Sequence, residues 1–515
     1  MSVEGTTRGV LGRRVVIGSV MLGMFLTAIE ISIVATAAPA IVSKLGGLAE
    51  LTWVFSAFLL AQAATIPIYG RLADLYGRRR VFAAGTGLFL VGSLLCGMAT
   101  SMTQLIVFRV VQGAGAGAVQ PVASTIIGDI FTMEERARMQ GWLSSVWAIA
   151  SLVGPLVGGF VVERVHWAWV FWINLPIGPL AIAGVYLCLR EPAVRKRHSV
   201  DYAGAALLSA GVSLLLFALL QGGVAWAWTS TESVSLLVGS LVVIAAFIWQ
   251  ERRAPEPILP LGLFRNRVVS VVDASFVLSG TMSPTVVTFI SLYVQGVVGA
   301  SATVAGLSLI PMSIGWPLAS AFAGRVILAI GFRRTGLLGA ALAVAGVALL
   351  VVGASAGTGF GSVAWICVAI LVLGAGLGFL TTTSIVALQT SVPWSTRGVA
   401  TGSAMFARLL GSTLGIAILG SILNATLLRR ATTLPDDVRA FGGDGVGVTT
   451  VLLDAQARAA LDPAVLAELQ GVLAGGIQAV FLGVLAAALA AVAVASLLPA
   501  RAEEPAAESV AEPAS

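Results

Sequence analysis

The chain has 515 residues, of which 58% are hydrophobic and only 10% are charged, whereas soluble globular chains are about a quarter charged. This composition excludes an ordinary soluble protein and predicts an integral membrane protein. The net charge of +6 fits an excess of basic residues in the short loops that orient membrane helices. It therefore gives no reason to expect a nucleic-acid partner.

Apolar segments of membrane-spanning length recur along the whole chain. A helix needs roughly 20 apolar residues to cross the hydrocarbon layer, so the sequence predicts about fourteen spanning helices. The predicted spans are 15–36, 53–70, 82–100, 104–126, 142–162, 168–189, 203–221, 234–250, 268–290, 304–323, 335–354, 363–386, 400–424 and 474–498. The first run is too long for a signal peptide. Basic residues concentrate in the N-terminus, in alternate loops and in the tail, so both termini are expected to be cytoplasmic.

The first predicted helix contains one charged residue, Glu30, between Val15 and Ser43. A carboxylate at membrane depth costs about 3 kcal/mol on insertion scales, so we expect it to face a cavity or a partner. Arg109, inside the fourth segment, needs an acceptor unless it snorkels to the external interface. A Glu30 side chain near Arg109 and Gln62 would be placed to load and release protons. A structural carboxyl or a ligand for cationic substrates remains an alternative.

The loop "GRLADLYGRRR" at 70–80 follows the second predicted helix. Its turn and charged residues are Gly70, Asp74, Gly77, Arg78 and Arg79. Glycines permit a tight turn, and Asp74 can pair with arginines or with a helix N-terminus to latch the cytoplasmic side. Asp129, at the cytoplasmic end of the fourth helix, is the expected partner of Arg78 or Arg79. A basic loop that serves only topology is the alternative.

Two glycine-rich stretches lie inside apolar segments. "GAGAGA" at 113–118 has no preceding strand, so helix packing is favoured over a nucleotide-binding loop. The fifth segment, "AIASLVGPLVGGF" at 148–160, contains Gly154, Pro155, Gly158 and Gly159. Such a helix can bend and let a neighbour approach closely.

The second half of the chain repeats features of the first. "GRVILAIGFRR" at 324–334 matches "GRLADLYGRRR" at a constant offset of 254 residues, with Leu328 in place of Asp74. We therefore expect two parallel six-helix repeats, two inserted helices between about 203 and 250, and a one-sided latch. Chance matching in a Gly-rich chain is the alternative.

The repeat and the spans give the predicted organisation of the chain. It comprises a cytoplasmic N-terminus at 1–14, a six-helix bundle at 15–190, a linker with two extra helices at 191–267, a second six-helix bundle at 268–498 with an external loop at 427–473, and a cytoplasmic acidic tail at 499–515.

The remaining polar residues in the helices suggest fewer roles. Asp273 lies near the cytoplasmic start of its helix, where the helix N-terminus stabilises it, so a structural role is favoured. Arg408 lies deeper, and we expect it, with Gln62 and Gln112, to line a substrate cavity or to contact an acidic group.

The sequence shows no catalytic or cofactor-binding pattern. The three cysteines, Cys96, Cys188 and Cys367, are scattered singly and are expected in the core without a disulfide or metal site. His166 and His198 lie in loops and are expected to be solvated. No catalytic triad, metal cluster or nucleotide loop is recognisable, so neither enzymatic activity nor a cofactor is expected.

Several of these motifs together resemble the major facilitator superfamily, and in particular its fourteen-spanner drug:proton antiporter family. The 70–80 loop resembles the superfamily's loop between helices two and three, and "RVVQGAGAGAVQP" resembles its fourth-helix motif, with Arg109, Gln112 and Gly113 in the matching places. The 148–160 segment resembles the antiporter motif, with Ala150 in place of its first glycine. "IEISIVATAAPAI" resembles the first-helix motif, with Glu30 where aspartate is more usual.

The resemblance implies an all-α major facilitator fold of two six-helix repeats plus two inserted helices. It also implies a monomeric antiporter in the cytoplasmic membrane that exports drug-like amphipathic or cationic compounds in exchange for protons. A dedicated exporter of one endogenous antibiotic, lipid or siderophore is the nearest alternative. A membrane scaffold or sensor without transport is the more distant one.

Overall fold

A computed structural model describes residues 9–47, 50–191, 201–222, 226–355, 360–431, 446–453 and 455–501. Several predicted features fall outside these residues. They are the basic loop around Lys196, His198, the centre of the external loop around Gly445, and the acidic tail beyond Arg501.

The described chain is built almost entirely of α-helices. They are α1 (Gly9–Leu45), α2 (Leu51–Tyr76), α3 (Arg78–Gly97), α4 (Met102–Ile130), α5 (Met133–Arg164), α6 (Trp169–Trp172), α7 (Asn174–Cys188), α8 (Tyr202–Gln221), α9 (Thr231–Glu251), α10 (Arg267–Gly296), α11 (Ala302–Ser308), α12 (Ile310–Ser355), α13 (Phe360–Ser391), α14 (Arg397–Ala431), α15 (Val446–Leu453), α16 (Ala455–Ala459) and α17 (Pro463–Ser496). The all-α membrane fold is thereby confirmed.

Within the described residues, thirteen helical spans are long and apolar enough to cross a membrane. One of them, Thr303–Ala354, is 52 residues long, which is more than twice the roughly 20 residues that one crossing needs. It is interrupted at Gly331, whose φ of 83° and ψ of 171° are not helical. This span therefore contains two crossings, and the total agrees with the predicted fourteen.

Helix α17 begins earlier than the sequence predicts, so it includes the last part of the predicted external loop. The last span was expected to start at residue 474, whereas α17 begins at Pro463, where Asp462 caps its first turn. The side-chain Oδ1 of Asp462 accepts a hydrogen bond from the backbone N–H of Ala464 at 2.8 Å. Hydropathy alone missed these turns because Ala, Glu and Gln dilute the apolar signal there.

Each half has its own apolar core, and Ile66 of α2 and Ala137 of α5 join the core of the C-terminal half. One large cluster joins α10, α12, α13, α14 and α17, whereas α1 to α7 enclose several smaller clusters. In α4 the glycine stretch lies against backbone, with Gly113 on Phe58 of α2 and Gly115 on Phe89 of α3. Small residues let helices approach this closely, so the packing role predicted for "GAGAGA" is confirmed.

The inserted helix α8 packs beside α2 and α14, and α9 packs against α8. Leu208 and Val212 of α8 share an apolar cluster with Ala63 of α2. The indole of Trp228, before α9, donates a hydrogen bond to the hydroxyl of Ser421 on α14 at 2.8 Å. The insertion is therefore in contact with both halves.

The halves meet at the end of the bundle that is expected to be cytoplasmic. Gly70 of α2 lies against the carbonyl of Gly398 of α14, and Gly324 of α12 lies against the backbone of Glu134 of α5. The amide of Gln389 on α13 donates to the carbonyl of Ser124 on α4 at 3.1 Å. This end is therefore closed.

Candidate functional site

Glu30 is fully buried in the N-terminal half and forms an ion pair. Its Oε1 lies 2.6 Å from Nη1 of Arg109, and the side chains are 0% and 1% exposed. Arg109 therefore does not snorkel to the interface, because its acceptor lies inside the bundle. The expected proximity of Glu30 and Arg109 is present.

The acceptors of Arg109 come from three helices. Besides Glu30, Nη1 donates to Oε1 of Gln112 at 2.6 Å, and Nε donates to the carbonyl of Val54 at 2.9 Å. The guanidinium also lies over the ring of Phe58, 4.2 Å from the ring centre. Arg109 thus links α1, α2 and α4, and it keeps two neutral acceptors if Glu30 loses its charge.

Two further polar side chains complete the network. The amide of Asn174, on α7, donates to Oε2 of Glu30 at 2.8 Å and to the hydroxyl of Ser93 at 3.2 Å. Ser93, on α3, also accepts a 2.8 Å hydrogen bond from the amide of Gln112. Both carboxylate oxygens of Glu30 are therefore occupied, which is how a buried charge becomes tolerable.

Sequence reasoning placed only part of this network. Gln112 was expected to line a substrate cavity but is 0% exposed and belongs to the network instead. Gln62, one turn beyond Phe58 on α2, forms no hydrogen bond to Glu30 or Arg109, all three being described residues. Asn174 and Ser93 were missed, although a polar side chain inside a spanning segment is itself a signal.

Asp74 holds the beginning of α14, which belongs to the other half. Its Oδ1 accepts from the backbone N–H of Gly398 at 2.9 Å, and its Oδ2 accepts from that of Val399 at 2.7 Å. Arg78 donates to Oδ1 at 2.9 Å, and both side chains are 1% exposed. A carboxylate is stabilised at a helix N-terminus by its free N–H groups and its dipole.

Asp129 joins the same cluster from α4. One oxygen lies 3.0 Å from Nε of Arg78, and the other lies 2.6 Å from Nη1 of Arg397. Arg78 additionally donates to the carbonyl of Trp394 at 2.8 Å and lies over its ring at 3.8 Å. Asp129 is therefore shared between arginines of opposite halves, and Arg397 and Trp394 are contributors that the sequence did not suggest.

The start of α3 is held by a carboxylate that sequence reasoning missed. Glu191 accepts from the backbone N–H of Arg78 at 2.7 Å and of Arg79 at 3.2 Å. Gly77, with φ of 91°, leaves room for this carboxylate. Burial raises the pKa of Glu191, while the two N–H groups and the Arg78 charge oppose that rise. Arg79 itself faces Tyr186, 4.3 Å from its ring centre.

We expect Gly70→Ala to weaken the closed end without removing any charge. A Cβ at this position would lie 2.7 Å from the carbonyl oxygen of Gly398, and overpacking of this kind costs about 1–3 kcal/mol. Paired spin labels across the two halves should show a larger open population. Gly87→Ala is the control, because a Cβ there meets nothing within 4 Å; equal distance distributions in both variants would contradict the prediction.

The glycines of α5 divide between two faces. Gly154 lies against Ser32 of α1, and a Cβ at Gly158 would lie 3.1 Å from atoms of Ile33 and Thr36. A Cβ at Gly159 would meet nothing within 4 Å. Gly154 and Gly158 therefore let α1 and α5 approach closely, while Pro155 is exposed on another face of the helix.

The C-terminal half contains charged side chains of its own within its spanning helices. Asp273 of α10 accepts a hydrogen bond from the hydroxyl of Ser403 of α14 at 2.6 Å. Arg408 of α14 is partly exposed and forms no ion pair with an acidic side chain among the described residues. The acidic contact considered for Arg408 is thus not present there.

Comparison with known proteins decides the family. The sequence matches the Major Facilitator Superfamily over residues 20–416. The chain belongs to this superfamily. As a member it is a multi-pass membrane transporter, and the prediction that it is not an enzyme is confirmed on that ground.

Relatives and solved structures of this superfamily resemble the chain over most of its length. Multidrug transporter protein MdtP of Bacillus subtilis (strain 168) is 37% identical over 80% of this chain and 76% of its own. Multidrug resistance protein 3 of the same organism is 33% identical over 92% and 93%. The structure of a bacterial homologue of the iron transporter ferroportin matches with a TM-score of 0.61 and 12% identity, over 93% of this chain and 98% of that chain. The last similarity concerns the fold alone.

Proposed function

We propose that this transporter exports drug-like amphipathic or cationic organic compounds in exchange for protons. The observation that carries the proposal is the buried Glu30–Arg109 pair, because a titratable carboxylate sealed at membrane depth is typical of proton relays in transporters. The names of the two Bacillus subtilis relatives support multidrug export as the direction and substrate class.

Protonation of Glu30 would change the forces that hold α1. The neutral carboxyl no longer attracts Arg109, which retains the carbonyl of Val54 and the amide oxygen of Gln112 as acceptors. Helix α1 is then held less tightly to α4. Movement of α1 also affects α5, because Ser32 and the carbonyl of Ala150 share a 3.2 Å hydrogen bond.

The enclosed carboxylate implies alternating access. Glu30 is 0% exposed here, so a proton can reach or leave it only in another conformation. The closed cluster of Asp74, Asp129, Arg78 and Arg397 lies between the halves, and we assign it the role of the cytoplasmic latch. Its opening would expose the sites to the inside of the cell, as alternating-access transport requires.

The proton gradient is sufficient as an energy source. When a neutral compound is exchanged for one proton, one net charge crosses the membrane, which is worth about 2.3 kcal/mol per 100 mV, and each 1.4 kcal/mol corresponds to about tenfold in concentration. When a monovalent cation is exchanged for one proton, no net charge moves and the pH gradient alone drives export. We place Arg408 in the substrate cavity, since a guanidinium in contact with lipid tails is unfavourable. We place Gln62 in the same cavity.

The proposed transporter is a monomer with both termini in the cytoplasm. Residues 191–267 form the linker between its two six-helix bundles.

Dye export from proteoliposomes tests the proposal. With the purified protein, we expect an imposed pH gradient to drive a cationic and a neutral dye against their own gradients, and a protonophore to abolish that accumulation. Counterflow without a pH gradient should persist, because it needs substrate exchange only. Accumulation that is indifferent to the protonophore would overturn proton coupling, and counterflow of only one compound in a panel would favour a dedicated exporter.

A further inference from the structure

A second basic site lies in the C-terminal copy of the duplicated loop. A cavity of about 550 Å³ opens there, and its lining residues are Met133, residues 327–334, Ala500 and Arg501. Three arginines line it, Arg333, Arg334 and Arg501, and none of the lining residues is acidic. The cavity is therefore an electropositive site, separate from the Glu30 network and from the latch.

In the N-terminal copy of this loop, carboxylates neutralise the charge of Arg78. There, Asp74 and Asp129 pair with Arg78, and Glu191 supplies a carboxylate to the beginning of α3. Glu191 follows the last helix of the N-terminal half. Arg78, the buried arginine of that copy, thus lies beside three described carboxylates.

The C-terminal copy keeps the backbone and loses the carboxylates. Gly331 has φ of 83°, close to the 91° of Gly77, but Leu328 stands at the position of Asp74. The backbone N–H of Arg333 donates to the carbonyl of Pro499 at 3.1 Å, where the N-terminal copy uses the Glu191 carboxylate. A neutral carbonyl replaces a charged group, so the local positive charge is not compensated by the described residues.

The surroundings of the arginines are apolar on one side. Leu328 and Ile330, both lining the cavity, are 54% and 40% exposed. Arg334 and Arg501 are exposed as well, with no described acidic partner, and Arg333 uses its Nε on the carbonyl of Leu498 at 2.9 Å. At the end of a spanning bundle, such cations can bind the phosphate headgroup of a phospholipid, and the exposed aliphatic groups beside them can contact its acyl chains.

We propose that this cavity binds the phosphate of an anionic phospholipid in the cytoplasmic leaflet, with the acyl chains along Leu328 and Ile330. Guanidinium groups form strong charge-assisted hydrogen bonds to phosphate, and basic pockets between spanning helices on this side suit anionic headgroups. The exposed aliphatic wall favours a lipid over free phosphate. It also favours a lipid over Glu503 and Glu504, which follow Arg501 in the sequence.

The test compares ligands on the purified full-length protein in detergent. Short-chain phosphatidylglycerol should raise the Tm and bind in native mass spectra more strongly than phosphatidylcholine of equal chain length, and glycerol phosphate should have no effect at equal concentration. Arg334→Gln with Arg501→Gln should weaken phosphatidylglycerol binding about tenfold, as expected for losing hydrogen bonds to a charged group. The control is Arg80→Gln with Arg138→Gln, two exposed arginines outside the cavity.

A second variant keeps all the arginines. Leu328→Asp restores the carboxylate of the N-terminal copy, so it should compete with the phosphate and also lower phosphatidylglycerol binding. Equal weakening in the control pair would show a general surface-charge effect and overturn the site. Stabilisation by glycerol phosphate equal to that by the lipid would make this a free-phosphate site. Lipid binding that appears only after Glu503→Gln with Glu504→Gln would show that the tail occupies the cavity, and would overturn the proposal.

Discussion

Glu30→Gln is expected to abolish pH-driven accumulation of substrate while leaving counterflow in place. Glutamine keeps the shape of the side chain and one acceptor oxygen, which can accept from Arg109 or from Asn174 but not from both in their present positions. Part of the network should therefore persist without a titratable group. Coupled efflux should fall at least tenfold, because glutamine cannot take up or release the proton. Counterflow should persist, because it does not need that proton. Glu30→Asp should retain part of the activity, since the carboxyl remains but is shorter.

Two dyes separate the roles of this carboxylate. Efflux driven by a pH gradient is measured for one cationic and one neutral dye, with Glu163→Gln as the control because that exposed carboxylate is outside the network. If Glu30 were a ligand for cations, the Gln variant would lose the cationic dye alone. Undiminished coupled efflux of both dyes would remove Glu30 from the coupling mechanism.

Asp74→Asn should leave the protein folded and inserted but slow transport by about tenfold or more. The substitution removes the negative charge that faces Arg78 and the first N–H groups of α14, and breaking a buried pair costs about 3–5 kcal/mol. Asparagine retains one acceptor oxygen, so part of that cost is avoided. The fraction of molecules that are closed at the cytoplasmic end should fall, because this cost applies to the closed state.

Distances between the halves give the direct measurement. Spin labels at Arg80→Cys and Arg325→Cys, on exposed positions of the two loops, should report a longer mean distance in Asp74→Asn than in the parent. Glu134→Gln is the matched control, because its exposed carboxylate lies at the same end of the bundle. Normal flux and unchanged distances in Asp74→Asn, at matched expression, would remove the latch interpretation.

The sequence was sufficient for the fold because its signals are local. Runs of apolar residues of membrane-spanning length and the charge bias depend on neighbours in the chain, and the loop repeat can be recognised by comparing two short stretches of sequence. The kink at Gly331 was also foreseeable, since Gly77 marks the same turn in the first copy. The start of α17 at Pro463 was missed by hydropathy, although an aspartate followed by proline is a pattern typical of helix starts.

The candidate site was only partly predictable, because its partners are distant in sequence. Glu30 and Arg109 were recognisable singly, as charges at membrane depth. Asn174 approaches Glu30 across 144 positions, and Arg397 approaches Asp129 across 268. Such pairings depend on helix packing, which neither hydropathy nor spacing contains. For the same reason the hydrogen bonds of Gln112 to Arg109 and Ser93 could not be predicted.

The burial of Asp74 and Arg78 has a consequence for ionic strength. Salt screens exposed charges over a Debye length of about 8 Å at physiological concentration, but it screens buried pairs much less. Both side chains are 1% exposed, whereas those of Arg13 and Glu135, an ion pair near the same end, are 26% and 38% exposed. The closed state should therefore respond little to potassium concentration, and a cell under osmotic stress would keep the same balance between its open and closed transporters.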